Sequence, residues 1–371
     1  MKSIHNSQFS IFNSIVLFTL MVVLGTSLQA QNATQPKITC PNGLMVGASN
    51  GSLFYQRADY HAVAPGLDMD VSFYYNSITP KKDYGYGRGW NLGVQARYEE
   101  DTLGVTIIQG NGRQDHFDRF GNRYVPSKSG VFFDLVKIDS GYVLTTPQGV
   151  KYKFFDTTHC CVTQIVDRNN NSLIFSYISG QLNTLSNNVG HSVTFTWTDG
   201  HLTSFKPSHT QNDWQFHYDN NSQLRWVTNP MGQTENYTYY DHRRLKTITN
   251  AKGETTKISY NSLKAVSRIE TAVTDMSIRY DWENRLTTVV DQSKNDGTRQ
   301  YSSYVWDEDG RVIGQRGNCC GHSTEYFYDG ENNVVMTRIT ARNLSSTYST
   351  ATLVWSVTPI GTARQTAQRY T

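Results

Sequence analysis

Two adjacent cysteine pairs are the residues of this sequence best suited to chemistry. Cys160 and Cys161 lie in THCCVT, and Cys319 and Cys320 lie in NCCGHS, so a histidine accompanies each pair. Three interpretations compete: structural disulfides between the pairs, a zinc site of Cys and His, and free buried thiols. A bond within one pair is disfavoured, because adjacent α-carbons are about 3.8 Å apart and disulfides need roughly 4.4 to 6.8 Å. Neighbouring strand residues also point to opposite faces, which disfavours one shared ion. We therefore favour disulfides between the pairs.

Two other stretches match catalytic or metal-binding patterns. GASNG, at 47–51, places Ser49 at the centre of a G-x-S-x-G nucleophile motif, but that motif requires a following helix and no helical period follows. DEDG, at 307–310, begins like a calcium loop but lacks the downstream ligands. The scattered histidines show no metal-binding spacing. The sequence therefore predicts turns at both stretches, with no catalytic, cofactor-binding or metal site and no enzymatic activity.

The composition indicates strands and turns. Of the 371 residues, 12% are aromatic and 18% are charged, and the chain has 23 Tyr, 28 Gly and 9 Pro. Aromatic side chains suit a pleated surface, whereas Asn and Gly suit turns. We expect an all-β protein. The formal net charge of +3 gives no indication of a nucleic-acid partner.

The first 30 residues have the pattern of an export signal. One lysine near the start precedes an apolar run from Ile15 to Leu24, and small or neutral residues lead to Ala30. The run is shorter than the about 20 apolar residues of a membrane span. We expect cleavage before Gln31, no membrane span afterwards, and a secreted, cell-surface or periplasmic location; an uncleaved anchor is the alternative. An oxidising compartment further favours the disulfides.

One short unit recurs through the second half of the chain. An alternating run ends on an aromatic anchor, as in WQFHY and TEYFY, then turn-forming residues precede a second apolar run. Successive anchors are 20, 21, 22, 20, 20, 26 and 22 residues apart, which indicates about eight β-hairpins. Because a single hairpin is only marginally stable, the units must stack into an array. The anchors are Tyr177, Trp197, Tyr218, Tyr240, Tyr260, Tyr280, Trp306 and Tyr328.

The repeated pairs of Tyr or Trp with Asp resemble the rearrangement-hotspot (RHS) or YD-repeat family. The fullest copies are YDWENRL at 280–286 and WDEDGRV at 306–312. Upstream, FYYNS at 73–77 and GRGWNLG at 87–93 resemble the β-rich region that precedes the repeats in many secreted members. So do GNGRQDHFDRFGNRYVP and SGYVLTTPQGVKYKF, which follow at 110–126 and 140–154. The resemblance covers about residues 44 to 340.

The resemblance implies an antiparallel ribbon that spirals into a hollow shell, as in bacterial toxin cocoons and the barrel of animal teneurins. This chain has fewer repeats than full shells, and it lacks the Asp-Pro-Gly element that precedes a toxin domain in complete toxin members. We therefore expect a hairpin-repeat ribbon that forms a partial shell. The expected segments are a signal peptide at 1–30, a linker at 31–43, a β-rich N-terminal region at 44–158, YD repeats at 159–343 and a non-repetitive tail at 344–371.

The leading functional expectation is an exported, non-enzymatic scaffold or interaction protein, of the cell surface or related to a toxin shell. Its open strand edges would take another protein or further YD repeats. One alternative is a polymorphic toxin or self-cleaving shell protein whose active C-terminal part is missing or short. A second is a glycan-binding adhesion module, because exposed Tyr and Trp rows suit polysaccharide.

Overall fold

The computed structural model describes residues 37–121, 123–127, 131–155, 160–308, 310–317, 322–328, 334–342 and 350–356. Within these ranges every regular element is a β-strand except for one 3-10 turn at Pro41–Gly43, so the all-β class is confirmed. The expected signal peptide lies outside the described residues. No helix in the described part of the chain is long and apolar enough to cross a membrane.

The first sheet is a five-stranded antiparallel meander at the N-terminal end of the described chain. Its strands follow one another in chain order, β1 to β5. Residues 37–43 were expected to belong to a linker, but β1 pairs with β2 and Ile38 is only 1% exposed, so the folded part begins earlier than predicted. The strands are β1 Lys37–Thr39, β2 Leu44–Gly47, β3 Leu53–Ala62, β4 Met69–Asn76 and β5 Trp90–Leu92.

The second sheet is the ribbon, in which every strand pairs antiparallel with the next. Among the described residues no register pair joins β30 to β6, which agrees with the expected unclosed repeat ribbon. The strands are β6 Arg97–Glu100, β7 Gly104–Ile108, β8 Gln114–Phe120, β9 Arg123–Pro126, β10 Asp134–Ile138, β11 Gly141–Thr145, β12 Lys151–Phe154, β13 Gln164–Val166, β14 Ser172–Ile178, β15 Gln181–Asn187, β16 Ser192–Thr198, β17 His201–Pro207, β18 Trp214–Tyr218, β19 Leu224–Thr228, β20 Thr234–Tyr239, β21 Leu245–Thr249, β22 Thr255–Tyr260, β23 Val266–Glu270, β24 Thr274–Asp281, β25 Leu286–Ser293, β26 Arg299–Trp306, β27 Val312–Gly317, β28 His322–Tyr328, β29 Val334–Arg342 and β30 Thr350–Ser356.

The start of the ribbon folds back on itself. Tyr98 donates its backbone N–H to Cys160 (2.8 Å), and Val162 donates to Ala96 (2.9 Å), so residues 160–162 cover the outer edge of β6. An unpaired strand edge invites pairing with another chain. This edge is therefore already occupied within the chain itself.

Side-chain caps close the turns of the repeats. In the turn after β18, the Asp219 carboxylate accepts the N–H groups of Asn221 (2.9 Å) and Gln223 (3.0 Å), while Ser222 adopts a φ of 59°. Asn229 caps the next turn in the same way and is followed by Gly232 at a φ of 78°. Asp and Asn favour such turns because their short side chains replace a backbone acceptor. The polar residues between the apolar runs are thus turn-formers, as the sequence predicted.

The core lies between the first sheet and one face of the ribbon. Phe73 of β4 contacts Phe216 of β18 with ring centroids 5.0 Å apart, and Trp90 of β5 contacts Tyr237 of β20 at 5.1 Å. Phe73, Trp90 and Tyr237 are each at most 1% exposed. Burial of such aromatic surface is a dominant favourable contribution to folding. The first sheet therefore covers the aromatic face that the repeats build.

Candidate functional site: the seam between the first sheet and the ribbon

Six of the eight repeat anchors tie their own hairpin to the preceding one. The ring lies at the end of a strand, and its polar atom donates to the backbone carbonyl 14 to 16 residues earlier. Burial raises the pKa of these tyrosines above the ordinary value, to about 12 for Tyr328. The pairs are Tyr177 with Val162 (2.8 Å), Trp197 with Leu182 (2.7 Å), Tyr239 with Leu224 (2.9 Å), Tyr260 with Leu245 (3.1 Å), Tyr280 with Val266 (2.8 Å) and Tyr328 with Val312 (2.6 Å).

The two remaining anchors depart from this pattern. Trp306 reaches the hydroxyl of Thr287 (3.4 Å) rather than a carbonyl. The Tyr218 hydroxyl is buried without a hydrogen-bond partner in the described part of the chain. Its ring lies 4.8 Å from that of His201, whose Nε2 contacts Asp83 at 3.1 Å.

The anchor of the fourth hairpin is Tyr239, where the sequence predicted Tyr240. Tyr239 pairs with Leu245 next to a register shift, as Tyr218 pairs with Leu224 and Tyr260 with Val266. Tyr240 occupies the first turn position instead, and its hydroxyl donates to the Ile258 carbonyl (3.0 Å). The Asp that follows Tyr240 misled the prediction, because in neighbouring repeats Asp directly follows the anchor.

The first sheet binds the ribbon through backbone groups at the hairpin irregularities. A bulge leaves the residue after the turn outside the regular ladder. Leu202 donates its N–H to the Gly85 carbonyl (2.8 Å), Leu245 donates to the Tyr75 hydroxyl (3.0 Å), and Val266 donates to the Gly51 carbonyl (2.9 Å). Three hairpins are therefore held at equivalent positions by three different loops or strands of the N-terminal region.

Glycines make this close approach possible. A Cβ on Gly51 would lie 2.3 Å from the Ala265 Cβ, and a Cβ on Gly85 would lie 2.7 Å from the Gly200 carbonyl oxygen. Both glycines also have positive φ, of 65° and 89°, which side chains disfavour. At these two positions the backbone of the N-terminal region lies so close to the ribbon that a side chain would not fit.

The seam is the contact surface between the first sheet and the ribbon. The motifs FYYNS and GRGWNLG, which resemble the region preceding RHS repeats, contribute many of its contacts. Tyr75 and Trp90 face the ribbon, where the Trp90 Nε1 donates to the Tyr239 hydroxyl (2.9 Å). Arg88 donates its backbone N–H to the Ser222 carbonyl and its Nε to the Asn221 carbonyl (2.9 and 2.7 Å). These residues therefore contact the turns and anchors of the repeats directly.

A buried polar cluster crosses the seam. Arg57 pairs with Asp59 (2.7 Å) and donates to the Tyr237 hydroxyl (3.1 Å), while Tyr55 and Tyr237 both donate to Glu235. The Asp59 side chain is 3% exposed. Burial raises the pKa of Asp59 to about 6, and Arg57 only partly opposes that effect. The cluster therefore pairs the Arg57 charge across the two sheets, while the Asp59 Oδ2 is buried without a hydrogen-bond partner in the described part of the chain.

The structure describes only half of the predicted cysteine site. Cys160 adopts a φ of 56°. Cys161 is 8% exposed, and its backbone forms an isolated antiparallel β-bridge with Arg97. Cys319 and Cys320 lie outside the described residues, as does His159. The disulfide pairing therefore stays a prediction.

The structure places Ser49 in the turn between β2 and β3. The Gly51 N–H donates to Gly47 (2.8 Å), and a strand follows rather than the helix that a nucleophile motif needs. Asp307 caps its own hairpin by accepting the Arg311 N–H (2.8 Å). No group of three or more potential metal ligands occurs within the described ranges.

The chain was compared with known families, curated proteins and solved structures. Residues 43–117, which span most of the first sheet and the start of the ribbon, match the Domain of unknown function (DUF6531). No curated protein matches the sequence.

Several solved structures resemble the chain. One is the crystal structure of TcdB2-TccC3 without its hypervariable C-terminal region, at 12% identity and a TM-score of 0.40, covering 86% of this chain and 19% of that one. A Photorhabdus luminescens Tc holotoxin pore with a mutated TccC3 gives 13% identity and a TM-score of 0.33, covering 85% and 20%. TcdB2-TccC3-Cdc42 gives 10% and 0.32, covering 84% and 18%. The chain spans about a fifth of the length of these structures.

Sequence reasoning missed the seam itself. The contacting residues, such as Gly51, Tyr75 and Gly85, do not recur at a fixed period, so a search for repeats passes over them. The available signal was the density of glycine and aromatic residues between 73 and 93. Such glycines mark positions where two backbones approach closely.

Proposed function

We propose that the chain is an exported, non-enzymatic scaffold of the RHS or YD-repeat type, related to toxin shells, in which the first sheet locks the ribbon into one shape. The observation that carries this proposal is the use of the anchors. Six of the eight polar anchor atoms donate to a neighbouring hairpin's backbone, and the residues beside three anchors are held by the first sheet. The recurring residues therefore have structural roles.

The same observation weakens the glycan-binding alternative. A sugar platform needs aromatic faces open to solvent, but Trp214 and Phe216, on the row that ends at Tyr218, are 8% and 3% exposed. Phe216 packs against Phe73 of the first sheet. The row of Trp214 and Phe216 therefore serves packing and offers no open carbohydrate-binding face.

The covered face also bears on the toxin-shell relationship. A shell that encloses a cargo needs its inner face free, and here the first sheet packs on one face of the ribbon along the hairpins anchored by Trp197 to Tyr260. We propose that this stretch stiffens the ribbon, and that its partners are proteins or further repeats which meet it elsewhere.

Expression in bacteria of the full chain, with the signal, and of residues 31–371, without it, tests this function. We expect normal growth, an intact chain and export that leaves Gln31 as the N-terminus, as measured by growth curves, gel analysis and intact mass. Toxicity abolished by one point mutation, or self-cleavage near residue 340, would overturn the scaffold in favour of the toxin or self-cleaving protein. Retention on immobilised polysaccharide, lost on mutation of an anchor, would favour the adhesion module.

A further inference from the structure

A groove on the surface of the seam has an unusual charge. It is lined by the loop at 78–82, between β4 and β5, and by the turn at 241–244, between β20 and β21, and it encloses about 570 Å³. The lining carries four cations, one acid and one histidine: Lys81, Lys82, Arg243, Arg244, Asp241 and His242.

Most of these cations have no acidic partner. Lys82 pairs with Glu99 (2.8 Å) outside the groove. For Lys81, Arg243 and Arg244, no carboxylate of the described residues lies within ion-pair distance, and the Arg244 Nε is buried without a hydrogen bond. Lys81 is exposed and both arginines are half-buried, so the charges themselves are solvated, but a buried N–H without an acceptor, such as the Arg244 Nε, requires a physical explanation. A bound anion would supply the missing partner.

The turn that carries the arginines also departs from the other repeats. Comparable turns begin with Asp219, Asn261 or Asp307, whose side chains accept backbone N–H groups. Here the first position is Tyr240, whose side chain does not cap the turn, while Arg243 shares the positive φ that Ser222 and Lys264 adopt at the same turn position. Repeat proteins keep such local violations where a function outweighs stability.

The surroundings of His242 also indicate that the groove is positively charged. His242 stacks on Tyr240 with ring centroids 5.1 Å apart, and its Nδ1 is buried without a partner in the described part of the chain. Burial lowers the pKa of His242, and the neighbouring charges of Lys264 and Arg244 lower it further. The site is therefore positive even with the histidine neutral, and Asp241 offsets only part of that charge.

We infer that this groove is a binding site for a phosphate group, held by Arg243, Arg244 and Lys81. Guanidinium groups donate pairs of hydrogen bonds that match phosphate oxygens, and an ammonium group adds a point charge. Because both walls are surface loops, the phosphate can be free or carried by a polymer. This binding goes beyond the scaffold function, which does not require it.

Isothermal titration of residues 31–371 with inorganic phosphate at low salt tests the site, with a glycerol-phosphate polymer as a second arm that separates free from polymer-borne phosphate. We expect saturable binding that falls at least about tenfold in the double variant Lys81→Gln/Arg244→Gln. Asp241→Asn should tighten binding. Lys252→Gln is the matched control, because it removes one charge at the turn on the other end of β21 and should leave binding within about twofold.

Arg243→Gly separates binding from folding. Glycine suits the positive φ of this position, so the variant should keep or raise the melting temperature while phosphate binding falls several-fold. Absence of saturable binding in wild type, or equal loss in Lys252→Gln and the double variant, would overturn the site. Either result leaves the scaffold proposal standing, because growth, chain integrity and export do not depend on phosphate.

Discussion

Two hairpins of the ribbon share one local design but differ in what covers them. In the β20–β21 hairpin, Tyr239 donates to Leu224 and accepts from Trp90, and Leu245 donates to Tyr75. In the β28–β29 hairpin, Tyr328 donates to Val312, but no hydrogen bond or ring contact joins it to the first sheet within the described ranges. The repeat therefore specifies the hairpin, whereas the non-repeated N-terminal sheet specifies which hairpins become a buried core.

The largest expected contrast is between two tryptophans. Trp90 is fully buried against Tyr55, Tyr75 and Tyr237, whereas Trp306 is half-buried. Trp90→Ala should lower the free energy of unfolding by about 3 to 5 kcal/mol, because it removes a large side chain and leaves a cavity. Trp306→Ala should cost about 1 to 2 kcal/mol. Urea denaturation followed by fluorescence measures both, and equal losses would remove the distinction between the two regions.

The second prediction concerns pH and the covered acid Asp59. Its pKa is raised from 3.8 to about 6 in the folded state, so the proton is held more tightly there than in the unfolded chain. Its contribution is therefore most favourable below the unfolded pKa and is lost as pH rises towards 6. The difference in free energy of unfolding between wild type and Asp59→Asn should fall by about 2 kcal/mol from pH 4 to 7.

Asp281, the exposed last residue of β24, has a pKa shift of the opposite sign. Hydrogen bonds from Asn284 lower its pKa, so its contribution is present above the unfolded pKa and is lost as pH falls through the folded pKa. Asp281→Asn should therefore matter more at neutral pH than at pH 3. Chemical denaturation across this pH range compares the two variants, and parallel curves for both would contradict the burial of Asp59.

A third contrast uses two glycines with similar backbone conformations. Gly51 and Gly253 have φ values of 65° and 82°, but only Gly51 faces the opposing backbone, at Ala265. Gly51→Ala should cost about 2 to 4 kcal/mol, since a clash adds to the conformational strain. Gly253→Ala meets open space and should cost only the strain, about 1 to 2 kcal/mol. Thermal unfolding measures the difference, which vanishes if the first sheet does not dock.

The smallest contrast removes one hydroxyl. Tyr239→Phe leaves the Leu224 carbonyl and the Trp90 Nε1 without their shared partner, whereas Tyr328→Phe affects only the Val312 carbonyl. We expect losses of about 2 to 3 and about 1 kcal/mol respectively. Denaturation midpoints provide the comparison. A greater loss for Tyr328→Phe would reverse the assignment of covered and uncovered hairpins.

The repeats were predictable because their chemistry is local. Alternation placed Trp214 and Phe216 on one face, and Asp219 and Asn229 predicted the turns that they cap. The anchor at 239 was misplaced by one residue, because a bulge shifts the register and the Asp that usually marks the anchor had moved. Periodicity alone cannot detect such a shift.

The seam could not be predicted in the same way. Its contacts join residues far apart in sequence, such as Gly51 with Val266 and Ala48 with Thr287, and the partners share no period. Glycine indicates that something approaches closely but not what approaches. The expected linker failed for a related reason, since β1 is only three residues long and its strand pairing decides its structure.

The first sheet holds the hairpins through their backbone N–H groups, and amide hydrogen exchange tests this contact most directly. Leu202, Leu245 and Val266 donate across the seam, whereas Val334 occupies the equivalent position beside Tyr328. We predict that the three seam amides exchange as slowly as ladder amides and at least about a hundredfold more slowly than Val334. Exchange of all four amides at one rate would contradict the claim.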